Sequence, residues 1–114
     1  MSQHKYQTPT GQTIVLEFAD TFWRRFCGLM LRKGLAPNHG LYLAPCASIH
    51  MCFVRFAIDA VYVDKTFTIQ KIVPHLRPWI GFSLCLGAHG VLELPSGAAK
   101  ALRLEAGQKL LSEA

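Results

Sequence analysis

The sequence predicts an α+β fold that is mainly antiparallel β, a barrel-like or strongly curved sheet with two short helices. Three observations carry this. Short β-branched and apolar runs dominate, each bounded by Gly, Pro or Asp turns. The two helix-like segments stand far apart along the chain instead of alternating with strands, which argues against βαβ units. "AIDAVYV" (57–63), the turn "DKT" and "FTIQKIV" (67–73) form the clearest hairpin of the chain.

Each element follows in order. Residues 1–11 are polar and are expected to be a flexible lead-in to one globular domain over 12–112. "TIVLEFA" (13–19) reads as a first strand. The period then changes: Phe22, Trp23, Phe26, Leu29 and Met30 recur at helical spacing, Asp20 or Thr21 can cap the start, and Gly34 can end it. Gly28 inside that pattern suggests close packing against another backbone. "PNHG" turns, and "LYLAP" (41–45) is a short strand ending at proline. Residues 48–55 are expected to be extended, and "PHLRPWIGF" (74–82) irregular, because both prolines restrict the backbone. "HGVLEL" (89–94) is a strand, 95–104 holds a second short helix, and "EAGQKLL" turns at Gly107 into a last strand.

The totals bound the function classes. The chain has 114 residues, the length of one domain, and 51% are hydrophobic, too many for a disordered segment. No apolar run is long enough and free enough of charge to span a bilayer, and the start lacks a signal-peptide core, so a cytoplasmic location is expected. The net charge is +5, but the basic residues are scattered and no nucleic-acid fold signature is present, leaving weak nucleic-acid binding as a minor reading. The four cysteines show no C-x-x-C pair; Cys46, His50 and Cys52 lack the paired spacing of a zinc site. Small buried thiols, no metal and no cofactor are therefore expected.

The segment "IHMCFVRFAIDAVYV" (49–63) is apolar apart from His50, Arg55 and Asp59. In a straight strand Arg55 and Asp59 would sit about 13 Å apart on one face. Burying an ionised Asp59 alone would cost several kcal/mol. It therefore needs backbone N–H groups, water or a cation, with His50, Arg55, Lys71 and Arg77 as candidates. One reading makes Asp59 a structural acceptor of backbone N–H bonds at the corner before the hairpin, with Arg55 neutralising it. A second places His50, Arg55 and Asp59 along a cleft for a polar or anionic ligand, with Arg77 and Trp79 beside them. A third is acid–base catalysis by His50 and Asp59. Trp79 either fills the core, as tryptophan usually does, or offers an apolar face next to charge.

Several elements also resemble one family. "IHMCFVRFAIDAVYVD" is similar to the I-H-T-M-F-M-R-F-P-I-D-V-V-F-L-D segment of the bacterial and archaeal domain-of-unknown-function family 192. "RFCGLMLRKGL", "GLYLAPCASIH", "LRPW" and "VLELPSGAAKALRLEAGQKL" resemble its other elements, in order, over about residues 12–111. The resemblance implies a compact, mainly β fold with a few short helices, and it brings no established reaction, cofactor or substrate with it. Its motif positions are Arg25, Gly28, Arg32, Gly40, His50, Arg55, Asp59, Pro78, Trp79, Glu93 and Gly97. Four of the departures from it matter. Ala57 replaces proline, which leaves the bend before Asp59 less enforced. Met51 replaces threonine, and Val54 replaces methionine. Gln108 replaces an aspartate, which is expected to cost the last turn a side-chain–backbone bond.

The sequence reading favours a small non-enzymatic binding or accessory module. Its candidate ligand-binding residues are His50, Arg55, Asp59, Arg77, Trp79 and Arg25. Its partner is expected to be a small polar or anionic ligand or a protein. A second copy could pair with a free strand edge.

Overall fold

The computed structural model describes residues 2–19, 34–51 and 53–113. They form β1 (Ser2–Gln7), β2 (Thr13–Ala19), β3 (His39–Leu43), β4 (Ser48–His50), β5 (Ile58–Val63), β6 (Ile69–Leu76), β7 (Phe82–Leu84) and β8 (Gly90–Pro95). A one-turn helix α1 (Ala98–Ala101) and the strand β9 (Leu111–Ser112) follow. Seven strands make one curled sheet in the order β6-β5-β8-β3-β2-β1-β9, while β4 and β7 pair separately. The architecture is thus mainly β with one short helix among the described residues. The helix expected over 20–34, with the candidate Arg25, lies outside the described residues except for Gly34.

The sheet is mainly antiparallel, as expected, but mixed, because one pair is parallel. β2 and β3 run parallel, Val15 opposite His39 through Ala19 opposite Leu43. A parallel pair needs a long connection, and residues 20–38 supply one. The remaining pairs are antiparallel. At the far end Ile69 N–H donates to the Gln108 carbonyl (2.8 Å) and Leu110 N–H to that of Phe67 (3.0 Å). These bonds draw the start of β6 toward the segment before β9, so the sheet curls into a half-barrel.

β5 explains the apolar run. It lies between β6 and β8, and all six of its residues are buried. Alternation sends Val61 and Val63 to a core shared with Ile14, Leu16, Leu92 and α1. It sends Ile58, Ala60 and Tyr62 to a second core with Leu41, Ile49, Met51 and Val54. A strand covered on both faces reads as a continuous hydrophobic stretch.

Three further differences have local causes. Ser2–Gln7, expected to be a flexible lead-in, pairs along β2 from Ser2 opposite Phe18 to Gln7 opposite Thr13. β6 runs through Pro74, expected to be irregular, because β6 is an edge of the sheet and an edge strand tolerates the missing N–H. The register shifts there between the pairs Ile58–Leu76 and Ala60–Val73, so Pro74 and His75 together oppose Asp59. Gln108 makes the bonds its substitution was expected to lose: its side chain accepts from Glu105 N–H (3.0 Å) and donates to the Arg103 carbonyl (3.2 Å).

Candidate functional site

Asp59 follows the structural reading in its backbone bonds, but not in the neutralising Arg55. Its side chain is 1% exposed. Oδ1 accepts from His75 N–H (2.9 Å), and Oδ2 accepts from Gly97 N–H (3.1 Å) and Ala99 N–H (2.9 Å). These donors come from the bulge of β6 and the start of α1, so one carboxylate ties three elements together. No side-chain cation among the described residues is a hydrogen-bond donor to it. Gly97 takes φ 90, a conformation glycine adopts without steric cost, which lets the chain turn its N–H back onto Asp59.

Asp59 and His50 do not meet. Asp59 lies on the α1 side of β5, with Val61 and Val63. β4 and β7 pack over the opposite core, where Ile49, Met51 and Val54 are buried. A buried side-chain bond links the second sheet to the main one: the Tyr62 hydroxyl meets Ser83 Oγ at 2.7 Å. Burial pushes the Tyr62 phenol pKa up, and the Ser83 bond partly offsets this.

His50 is exposed on β4, while Arg55, in the loop after β4, and Arg77 and Trp79, in the loop before β7, are exposed as well. His50 and Phe82 are directly opposite in the antiparallel register, as are Ser48 and Leu84, and all four are exposed. Trp79 N–H donates to the carbonyls of both Met51 (2.9 Å) and Val54 (3.2 Å), which sets the loop 77–81 beside the loop 51–55. Gly81 completes this junction, accepting from Met51 N–H (2.9 Å) and donating to the Arg77 carbonyl (3.0 Å). A Cβ there would come within 2.6 Å of that carbonyl oxygen, so a side chain is excluded. The bend before β5 forms without the family's proline: Phe53 takes φ 61 and Val54 N–H returns to the Met51 carbonyl (3.0 Å).

Trp79 is 52% exposed and Phe53 50%, so Trp79 does not fill the core. Their rings meet edge to face with centroids 5.4 Å apart. Both residues have positive φ, 67 and 61, which costs a non-glycine residue about 1 kcal/mol or more. Among the described residues, every exposed large apolar side chain except Leu111 is Phe53 or falls in 79–86: Trp79, Ile80, Phe82, Leu84 and Leu86. Exposed Arg55, Arg77 and His50 accompany them, and residues 34–58 and 65–92 contain no carboxylate side chain. Sequence reasoning named Trp79 and the cations. It missed Phe53, Phe82 and Leu84, because an apolar residue in a short run reads as core until the strand pairing is known.

No group of three or more His, Cys, Asp or Glu among the described residues could hold a metal ion. Cys46 and Cys85 are half-buried thiols, and Cys46 Sγ donates to the Ser48 carbonyl (2.9 Å); Cys27 and Cys52 lie outside the described residues. No helix among the described residues is long and apolar enough to cross a membrane.

Comparisons place this architecture among known proteins. A structure from Sinorhizobium meliloti superposes with TM-score 0.85 at 24% identity, covering 96% of this chain and 92% of that one. One from Novosphingobium aromaticivorans, a protein of unknown function, gives 0.82 at 23%, covering 95% and 82%. These likenesses concern the fold. A UPF0127 protein of Pyrococcus furiosus is 34% identical over 103 residues, 85% of each chain. A UPF0127 protein of Pyrococcus abyssi is 35% identical over 101 residues, 83% of each. The family model described as "Uncharacterized ACR" matches residues 5–112, and on that match the chain belongs to domain-of-unknown-function family 192.

Proposed function

We propose that this chain is a non-enzymatic binding module that takes an anionic, partly apolar ligand on the surface of Phe53, Trp79 and Phe82, with Arg55, Arg77 and His50 supplying positive charge. One observation carries the reading: two touching aromatic rings stand half-exposed on positive-φ backbone, in segments that hold cations and no carboxylate. Backbone strain kept at a displayed aromatic pair is characteristic of binding sites. An apolar patch edged by cations suits a ligand with both characters. Asp59 serves from beneath, fixing the backbone at His75 two residues before Arg77. The Sinorhizobium meliloti protein is described as a candidate transcription regulator; at 24% identity that likeness extends to fold.

Anilinonaphthalene sulfonate, an apolar ring system bearing an anion, tests the surface. The folded protein is expected to bind it, and Trp79→Ala and Phe53→Ala to weaken binding about fivefold or more. Loss of the ring pair alone should lower Tm by less than about 10 °C. Arg55→Gln with Arg77→Gln should weaken binding further and flatten its salt dependence. Equal binding by all variants, or none by the native protein, removes the reading.

A further inference from the structure

The pairing of β4 with β7 leaves a strand edge whose chemistry can be specified. Cys85 N–H donates to the Ala47 carbonyl (2.8 Å), and Met51 N–H to that of Gly81 (2.9 Å). Bonded pairs alternate in an antiparallel ladder, so 47/85, 49/83 and 51/81 are the bonded pairs. Ser48–Leu84 and His50–Phe82 are the non-bonded pairs between them. The N–H and C=O groups of Phe82 and Leu84 therefore point away from β4. Among the described residues β7 has β4 as its one ladder neighbour, so these groups form an edge that no other described strand covers. A lysine attends it: Lys71 Nζ, from exposed Lys71 on β6, donates to the Leu84 carbonyl at 3.0 Å. A lysine laid along an edge discourages indiscriminate strand pairing and is readily drawn to an arriving anion.

We infer that β7 accepts an extended, acidic and apolar peptide segment of a protein partner as an added strand. This rests on the binding surface proposed above and names its ligand class. Backbone bonds to Phe82 and Leu84 would supply affinity, and the exposed side chains of Phe82, Leu84, Trp79 and Ile80 would select apolar residues. Charge chooses the partner. Residues 65–92, which carry β7, include Lys65, Lys71 and Arg77 and no carboxylate. A second copy added at the same edge would bring the same cations against them, whereas a glutamate- or aspartate-bearing strand complements them.

A blocked octapeptide of alternating valine and glutamate is the probe, titrated by calorimetry into the full chain. In an added strand only alternate amides face β7. N-methylation of one alternate set should therefore weaken binding about tenfold or more, and of the other set hardly at all. Replacing glutamate by lysine should abolish binding. Leu84→Pro, which removes an outward N–H and spares the ladder to β4, should weaken binding more than Leu84→Ala. Equal binding by both methylated peptides would overturn strand addition while leaving the aromatic surface intact. So would sulfonate binding without peptide binding. A native dimer in sedimentation that Leu84→Pro converts to monomer would overturn it in favour of a second copy.

Discussion

Asp59 is buried with three backbone N–H groups, its donors among the described residues, in place of the water it loses. Asparagine keeps the size but offers one acceptor oxygen, and its NH2 would confront a backbone donor. Asp59→Asn is expected to cost about 3 kcal/mol, and Arg55→Gln less than about 0.5 kcal/mol, in urea unfolding. Comparable losses for the two variants would show that Arg55 shares in holding the carboxylate. The need for a partner was legible in the sequence, since an anion in an oily run must be compensated. The identity of the partners was not, because residues 75, 97 and 99 reach Asp59 only once β6 and α1 are placed. The separation of Asp59 from His50 follows from strand parity and from which face each packing layer covers.

At the scale of elements, the second sheet carries the surface proposed for binding. Its buried polar anchor is the bond between the Tyr62 hydroxyl and Ser83 Oγ; Ser83 is buried, and Tyr62 has no exposed surface. Removing one partner strands the other. Tyr62→Phe and Ser83→Ala are each expected to cost about 1–3 kcal/mol, and the double variant less than their sum, by thermal unfolding. An additive double variant would show that the bond does not couple the sheets. β2, β5, β8 and the hairpin of β5 with β6 were readable from apolar patterning. β7 was not: two of its three residues are exposed and apolar, and a strand that displays Phe82 and Leu84 outward follows neither the core nor the solvent rule.

For the whole molecule, curling depends on the meeting of residues 67–69 with 107–110, distant in sequence. Leu110 is 2% exposed at that seam and packs in the core with Ile69, Leu102 and Leu104. Leu110→Ala should cost about 3 kcal/mol. Amide exchange should quicken at Ile69 and Leu110, whose N–H groups bridge the seam. Unchanged exchange at those two amides would mean that the ends stay joined without it.

The sequence by itself determined that the chain is a β-rich domain of its family, where its strong strands fall, and that Asp59 must be satisfied internally. These are properties of local pattern, family motif and the cost of a bare buried charge. The tertiary structure alone decided that β2 and β3 run parallel, that Asp59 and His50 face opposite ways, and that Phe53, Trp79, Phe82 and Leu84 are displayed rather than buried. Alternation places a side chain on one face of its strand or the other, but only non-local packing decides which face meets water.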